Sequence, residues 1–310
     1  MTTKNRRHLI SISNLSKHEL NEIISRSVSF AEGKSSPENI LKGLVIGIYF
    51  RKTSTRTRTS FSSAALRMGA NIISYGPNDL QENTGESILD TQRVLSRMLD
   101  GLVARTAGSR EEMRILADQN RMSVINAMNE YEHPTQAIAD ITTMKQHFGD
   151  LAGLRILYVG EGNNTASALA LSISRFSKTE LTICTPDGYG LDKATMDESE
   201  SYANSCGARI QQIHDLSKAP SAIDIVYTTR WQTTGTSKAD PNWRLKFEHL
   251  RVDENLMTRY PNAIFMHDLP AHRGEEVEAS VLDGAKSIAF DQAENKLHSA
   301  KAVLEWCLNP

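Results

Sequence analysis

Residues 44–69, LVIGIYFRKTSTRTRTSFSSAALRMG, contain the pattern that decides the fold. The apolar run Leu44–Phe50 predicts a buried strand. The stretch Ser54–Met68 predicts a helix that has Ser54 as its N-cap and ends before Gly69. A buried strand followed directly by a helix is the repeating unit of a parallel sheet with helices packed on its faces.

The same alternation of short apolar runs and helical stretches continues to the end of the chain. Further strands are predicted at 71–75, 101–104, 122–127, 154–159, 180–184, 209–213, 224–228, 263–267 and 287–290. We therefore expect an α/β fold with two doubly wound parallel-sheet domains. Their junction is expected near 149–151, which gives a first domain over 1–149, a second domain over 150–292 and a final helix in 293–310.

The composition is that of an ordinary globular protein. The 310 residues carry 35 basic and 37 acidic side chains, for a net charge of −2, and 39% of the residues are hydrophobic. This balance argues against a polycationic nucleic-acid binder, and no apolar run approaches the roughly 18 residues of a membrane span. The three cysteines lack CxxC spacing and the nine histidines are scattered, so neither disulfides nor a metal site are expected. We expect a cytoplasmic protein without cofactors, nucleic-acid partners or membrane partners.

The segment Lys52–Arg58 lies between the strand and the helix of this unit. It combines hydroxyl groups, guanidinium groups and the free backbone N–H groups of a helix N-terminus. The helix dipole, the N–H donors and the arginines all favour an anion, so the segment predicts a phosphate or carboxylate site. The alternative is an ordinary capped helix with solvated arginines.

Five further segments follow in a fixed order along the chain. They are QENTGES at 81–87, ART at 104–106, HPTQA at 133–137, GEGNN at 160–164 and HDLPAHRGEEV at 267–277. Together with the anion loop, they resemble the motifs of the aspartate and ornithine carbamoyltransferases over nearly the whole chain, and they are most similar to the ornithine branch. The resemblance implies an enzyme that transfers the carbamoyl group of carbamoyl phosphate to an amine. It also implies a C-terminal helix that crosses back to pack on the N-terminal domain.

The site residues of that family can be carried over by position. The resemblance implies carbamoyl-phosphate binding by Ser54, Thr55, Arg56, Thr57, Gln81, Arg105, His133, Gln136, Leu269 and Lys296. It implies acceptor binding by Asn164, Thr229, Arg230, Gln232 and Asp268, and catalytic roles for Arg105, His133, Gln136 and Asp268. Because the family shares its sites between subunits, a homotrimer is expected, with Gln81 reaching into a neighbouring site.

These residue types suit the implied reaction. A tetrahedral oxyanion forms when an amine attacks the carbonyl carbon, and fixed donors from Thr55, Arg105 and His133 would stabilise it. Gln136 would hold the carbamoyl NH2 group, and much of the acceleration would come from positioning. His133 has an alternative role as the N-cap residue before Pro134.

The side of the site that would bind the second substrate departs from the ornithine branch. The departures are Asp268 in place of Cys, Thr229 in place of Asp, Thr233-Thr234 in place of Ser-Met, and Lys296 in place of Arg. In addition, the Thr-Arg-x-Gln run at 229–232 resembles the aspartate branch, in which Arg and Gln bind a substrate carboxylate.

Two of these positions change the expected chemistry. Asp268 would anchor an ammonium group or help to remove its proton before attack, and Arg230 would bind a carboxylate. The alternatives are a turn cap for Asp268 and a solvent-facing side chain for Arg230. We predict that the acceptor is a small carboxylate-bearing amine other than ordinary ornithine, and the main hypothesis is a diamino acid. It is either a shorter diamino acid or another amine that bears a carboxylate.

Other functions stay open at this stage. One is an ordinary ornithine carbamoyltransferase that makes citrulline. Another is a non-catalytic, anion-binding regulatory relative, which the intact loop at 52–58 disfavours. A nucleotide-binding oxidoreductase is suggested by Gly160-x-Gly162, but the third glycine of that fingerprint is absent. Residues 230–245 predict a long loop, and loops of that length are usually functional or mobile.

Overall fold

The chain folds into two compact units. The computed structural model describes residues 6–233 and 236–309, without the side chain of Asn83. The first unit contains the residues up to Thr142 together with those from Asn295 onward, and the second contains Thr143–Glu294. Each unit has its own parallel sheet flanked by helices, so the α/β class predicted from the alternating pattern is confirmed.

The first unit has a sheet of four parallel strands in the order β2-β1-β3-β4. The strands are β1 (Val45–Phe50), β2 (Asn71–Tyr75), β3 (Gly101–Arg105) and β4 (Ser123–Asn126). The helices are α1 (Lys17–Ala31), α2 (Arg56–Arg67), α3 (Ile88–Leu95), α4 (Arg110–Ala117) and α5 (Pro134–Phe148), with 3-10 turns at Ile12–Asn14 and Gln81–Thr84. All of β3 and nearly all of β1 is buried, as expected for central strands covered on both faces.

The second unit has a sheet of five parallel strands in the order β7-β6-β5-β8-β9. The strands are β5 (Arg155–Val159), β6 (Glu180–Cys184), β7 (Arg209–Ile213), β8 (Ile225–Thr228) and β9 (Ile264–His267). The helices are α6 (Asn164–Ile173), α7 (Lys193–Cys206), α8 (Glu254–Arg259), α9 (Ala279–Leu282) and α10 (Ala289–Leu308), with 3-10 turns at Leu216–Lys218, Trp243–Lys246 and Glu248–Leu250. Leu157, Val226 and Phe265 are fully buried and form part of one core cluster with side chains of α8 and α9.

Both sheets change winding direction at one strand. From β1 the chain moves to β2 on one side and later to β3 on the other, and from β5 it moves to β6 and later to β8 in the same way. Open parallel sheets bind ligands beyond the carboxyl ends of their strands at such a switch point. The end of β1 leads into the predicted anion loop, and the end of β5 leads into the GEGNN segment. In each unit, a predicted motif therefore occupies the position where the fold favours a site.

The last helix begins earlier than predicted. Ser287 forms only an isolated bridge to Phe265, and α10 begins at Ala289. The strand predicted at 287–290 is therefore wrong, because a single bridge pairs too few residues to extend the sheet.

From Asn295 onward α10 belongs to the first unit. There the Ser123 hydroxyl donates to the Cys307 carbonyl oxygen at 2.8 Å, and the Arg26 Nε lies 2.6 Å from Glu305 Oε2. These contacts fix the second half of α10 against β4 and α1.

Three further features concern possible partners and cofactors. Within residues 6–233 and 236–309, no helix is both long enough and apolar enough to cross a membrane. The same ranges contain no cluster of three or more His, Cys, Asp or Glu side chains that could hold a metal ion. Cys184, Cys206 and Cys307 are free thiols, and burial raises the pKa of Cys184 to about 12, which keeps that thiol protonated.

Gly162 packs so closely against neighbouring backbone that a larger residue should disturb the loop after β5. An added Cβ would lie 2.4 Å from the Gly190 carbonyl carbon and from the Leu191 nitrogen. We expect Gly162→Ala to lower the Tm by about 5 °C, from an overpacking cost of about 2 kcal/mol. Gly47→Ala is the matched control, because its Cβ would meet the ends of side chains instead of backbone. Thermal unfolding followed by circular dichroism measures both, and equal losses would contradict the close approach.

Candidate active site

The predicted anion loop follows β1 and leads into α2. The helix begins at Arg56, so the predicted start at Ser54 is wrong by two residues. Thr55 occupies the N-cap position with φ −75° and ψ −58°, and its hydroxyl makes no capping hydrogen bond. Ser54 instead faces Arg105, whose Nη1 lies 3.4 Å from Ser54 Oγ. The N-terminus of α2 and the guanidinium at the end of β3 therefore converge on this loop.

The remaining residues of the anion loop and of the QENTGES segment differ in burial and in hydrogen-bond partners. Thr57 is buried within the first turn of α2. Arg58 is directed at β2, where its Nη2 donates to Ser74 Oγ at 2.7 Å. Gln81 is exposed, and its Oε1 accepts a hydrogen bond from the Thr84 hydroxyl at 2.8 Å. The role expected for Gln81 in a neighbouring subunit stays a prediction.

His133 lies in the interior of the first unit, directly before α5. It is buried, and its Nδ1 lies 3.2 Å from Thr135 Oγ1. Burial, reinforced by the positive charges of Lys296 and Arg105, holds the pKa of His133 well below its usual value of 6.5. The imidazole is therefore neutral near pH 7 and can donate one hydrogen bond without carrying charge. His133, Arg105 and Lys296, three of the predicted residues, are thus close enough to interact electrostatically.

Gln136 is held at both ends of its amide group. Its Oε1 accepts a hydrogen bond from Lys296 Nζ, and its Nε2 donates to Asp140 Oδ1 at 2.7 Å. All three side chains are buried. The predicted residues Gln136 and Lys296 are therefore in direct contact, and the orientation of the Gln136 amide is fixed by its neighbours.

Asp140 is a residue that the sequence analysis missed. It lies four positions after Gln136 on α5, so the two side chains share one face of the helix. That spacing was the available signal. The spacing alone is a weak signal, because an aspartate one turn along a helix is more often a solvated residue than a buried partner.

In the second unit, Thr229 lies directly after β8 and is buried. Its Oγ1 lies 2.9 Å from the Tyr158 hydroxyl and accepts a hydrogen bond from Asn163 Nδ2 at 3.1 Å. Asn163 is also the N-cap of α6, since its Oδ1 accepts from the Thr165 and Ala166 N–H groups. An uncharged polar network therefore joins the ends of β5 and β8 to the start of α6.

Asp268 follows β9 and points at the same helix start. Its Oδ2 accepts a hydrogen bond from the Thr165 hydroxyl at 3.0 Å, and 18% of the side chain is exposed. Asn164, the neighbour of Thr165, is buried in the first turn of α6. The structure thus places the predicted residues Asp268 and Asn164 at one end of one helix.

His267 and Glu276 hold the segment that carries Asp268 and Leu269. The Leu269 N–H donates to His267 Nδ1 at 2.8 Å, and His267 Nε2 lies 3.1 Å from Glu276 Oε1. Because Nδ1 accepts a hydrogen bond, the proton lies on Nε2 and is donated to Glu276. Burial raises the pKa of Glu276, but hydrogen bonds from His267 and from the backbone N–H of His272 outweigh it and lower the pKa. Both residues belong to the HDLPAHRGEEV segment, but they were not predicted to be functional.

Arg230 and Gln232 follow Thr229 and are partly exposed. The Gln232 Nε2 donates to the Thr236 carbonyl oxygen at 2.6 Å. Their expected role in acceptor binding stays a prediction. Thr234 and Gly235, which belong to the predicted 230–245 loop, lie outside the described residues.

Comparisons with known proteins agree over the length of the chain. The family model for the carbamoyl-P binding domain of aspartate/ornithine carbamoyltransferase matches residues 7–146, and the model for the Asp/Orn binding domain matches residues 152–307. The ornithine carbamoyltransferase of Symbiobacterium thermophilum is 40% identical over 307 residues, which cover 98% of each chain. That of Methanothermobacter thermautotrophicus is 38% identical, over 97% of this chain and 99% of the relative.

Solved structures give the same result. Ornithine carbamoyltransferase from Pyrococcus furiosus superimposes with a TM-score of 0.92 at 34% identity, over 98% of this chain and 97% of that one. The enzyme from Gloeobacter violaceus gives a TM-score of 0.87 at 34% identity, over 98% and 99%. The chain is therefore a carbamoyltransferase that belongs to the aspartate/ornithine carbamoyltransferase family.

Proposed function

We propose that the protein transfers the carbamoyl group of carbamoyl phosphate to the side-chain amine of a small diamino acid, giving a ureido product and phosphate. The observation that carries this proposal is the buried group of Arg105, His133 and Lys296 next to the anion loop. In this proposal the first unit holds carbamoyl phosphate, and the second unit holds the acceptor.

The phosphate group of the donor binds at the start of α2. The N–H groups of the first turn, the Thr55 hydroxyl and the Ser54 hydroxyl supply donors, and Arg105 supplies a guanidinium fork. The positive charge of Lys296 adds to the attraction for a dianion. Burial strengthens this attraction, because the local dielectric constant is lower than that of water.

The carbonyl group of the donor is polarised by neutral His133 and by Arg105. Attack by an amine converts the carbonyl oxygen into an oxyanion, and donors already fixed in place stabilise it without reorganising. The Gln136 Oε1 is directed toward Lys296 and can accept a second hydrogen bond, from the carbamoyl NH2 group. Phosphate then leaves from the tetrahedral intermediate, and the amine loses its proton.

Ornithine is the acceptor that the relatives support best. The relatives and solved structures described above are named ornithine carbamoyltransferase, with identities up to 40%. The expected product with ornithine is citrulline. In this proposal Asn164, which is buried at the start of α6, binds the α-carboxylate of such an acceptor.

A diamino acid shorter than ornithine is the second candidate. Asp268 places a carboxylate beside Thr165, and Thr229 leaves the end of β8 uncharged. A carboxylate near the attacking nitrogen binds an ammonium group and accepts its proton before attack. In this candidate, the Asp268 carboxylate lies close to the attacking amine. The amine of a shorter diamino acid would reach that position.

The protein is further proposed to act as a homotrimer in which Gln81 completes the site of a neighbouring subunit. A non-catalytic anion-binding role is the alternative from another class. The buried Lys296–Gln136–Asp140 chain supports catalysis over that alternative, because fixing the orientation of an amide is unnecessary for binding phosphate alone.

Acceptor specificity can be tested by measuring phosphate release from carbamoyl phosphate. Ornithine, diaminobutyrate, diaminopropionate, aspartate and putrescine are compared as acceptors. Substantial kcat/KM with a diamino acid is expected, and release with none of the amines would support the non-catalytic alternative. High efficiency with ornithine alone would reject the shorter acceptor.

The role of Asp268 can be tested by replacing its carboxylate with an amide. Asp268→Asn should lower kcat/KM for the acceptor by about 100-fold, because the amide neither binds an ammonium ion strongly nor takes its proton. Asp283→Asn, which breaks the exposed ion pair with Arg273, is the matched control and should leave activity unchanged. Full activity of Asp268→Asn would remove the proposed role.

The neutral state of His133 should appear in the pH dependence of stability. Below about pH 6.5 the unfolded chain binds a proton at this position and the native protein does not, so stability falls by up to about 1.4 kcal/mol per pH unit as pH decreases. His133→Gln should remove that part of the slope, and substitution of exposed His18 by Gln should retain it. Urea unfolding between about pH 7.5 and pH 5.5 measures the slopes. Parallel curves for wild type and His133→Gln would show that His133 is not buried in the neutral form.

The contact between Asp140 and Gln136 should matter for the donor substrate. Asp140→Asn weakens a hydrogen bond to a buried charged group, and we expect kcat/KM for carbamoyl phosphate to fall by about 10- to 100-fold. Thr142→Val is the control, because it removes a buried hydroxyl that bonds to Ile138 O on the same helix. Steady-state kinetics that show the same small effect for both variants would assign Asp140 to helix packing.

A further inference from the structure

Lys238 lies in an aromatic pocket of the second unit that none of the motifs includes. Its Nζ lies 4.9 Å, 5.2 Å and 5.4 Å from the ring centroids of Tyr189, Trp243 and Phe247. Only 8% of the Lys238 side chain is exposed. An ammonium group within about 6 Å of an aromatic face is attracted by the ring, and the attraction increases when water is excluded.

The same ammonium group forms an ion pair with Glu161, in the loop that follows β5. Burial raises the pKa of Glu161, and the hydrogen bond and positive charge of Lys238 act in the opposite direction. Buried charges are costly to remove from water, so losing one partner leaves the other strongly destabilised. The pair therefore joins two segments that are 77 residues apart in the sequence.

Both segments carry residues expected to bind the acceptor. Glu161 lies three positions before Asn164, and Lys238 follows the segment that contains Arg230 and Gln232. The two segments also meet at the hydrogen bond from Asn163 Nδ2 to Thr229 Oγ1, at 3.1 Å. Between these two connections, Trp231 packs on Phe247 with ring centroids 5.7 Å apart.

We propose that Lys238 and Glu161 are positioning residues for the acceptor: their ion pair, enclosed by aromatic rings, holds Arg230 and Gln232 in register with Asn164. This inference rests on the proposed function, because it concerns the same acceptor. It adds a pair of residues that influence acceptor binding without contacting the substrate. The pair acts by fixing the segment at 229–233, which is also held by the contacts of Thr229 and Trp231 and by hydrogen bonds between Thr233 and Glu161.

Kinetics with the acceptor that the wild type uses best provide the first test. Lys238→Met and Glu161→Gln keep the bulk of each side chain and remove its charge. We expect each to raise the KM for the acceptor about tenfold or more, with kcat and the KM for carbamoyl phosphate changed less than about threefold. The double variant should be no worse than either single variant, because the two charges act as a unit.

Two further variants separate positioning from general packing. Lys238→Arg keeps the positive charge and should retain an acceptor KM within about threefold of wild type. Lys246→Met is the matched control, because Lys246 also approaches the Tyr189 ring, at 5.6 Å, but is half exposed and pairs with Asp240. Its KM values should not change. An unchanged acceptor KM in both Lys238→Met and Glu161→Gln would overturn the proposal.

Hydrogen exchange measured by mass spectrometry tests the ion pair independently of activity. Peptides that cover 236–245 should exchange at least about tenfold faster in Lys238→Met than in wild type or Lys246→Met, because the segment loses its anchor. If the wild type carbamoylates none of the acceptors, the proposed function fails, and exchange alone then decides whether the pair fastens the segment. Equal exchange in all three proteins would overturn the ion pair as an anchor.

Discussion

The candidate site residues of both units depend on the fact that the parallel strands of a sheet end at the same edge. In the first unit, this brings Arg105 at the end of β3 within 3.4 Å of Ser54, which is 51 residues earlier and follows β1. In the second unit, β5 and β9 end at one edge with β8 between them, and there Asp268 meets Thr165, which is 103 residues earlier in the sequence. A helix begins at each of these edges, α2 in the first unit and α6 in the second. The free backbone N–H groups of the first helical turn therefore lie beside these side chains as further hydrogen-bond donors.

The charges of the first unit serve two purposes at once. In the proposed function Arg105 and Lys296 attract a dianion, and burial together with the same positive charges holds the pKa of His133 well below its usual value. A protonated His133 would be a third cation in the same region. Lowering its pKa by 1 raises the free energy of the protonated form, relative to the neutral form, by about 1.4 kcal/mol. Neutral imidazole is a suitable donor for an oxygen that is uncharged in the ground state and charged in the transition state, because its donation requires no change of protonation.

Much of this arrangement could be predicted from the sequence, and the reasons for the exceptions are local. The alternation of buried strands and helices determined the α/β class, and motif order indicated which loops matter. The strand predicted at 287–290 was wrong because only Ser287 forms a bridge and the residues from Ala289 onward belong to α10. The helix start at Ser54 was wrong because its hydroxyl faces Arg105, a partner distant in sequence. Asp140 and Glu276 were missed because burial decides their role, and burial of a single carboxylate has no periodic signature.

The two units differ in what the proposed ligand requires of each. In the proposed function, the first unit binds one molecule, carbamoyl phosphate, which has one geometry and one charge. Acceptors vary in length and charge, so the residues that bind them can differ in which positions carry charged groups. Here the end of β8 is uncharged at Thr229, and charge instead occurs at Asp268 and in the enclosed Lys238–Glu161 pair. In the proposed function, acceptor specificity therefore depends on the contacts that hold the loops of the second unit as well as on the motif residues, because a loop held at a different point presents the same side chains to a different volume.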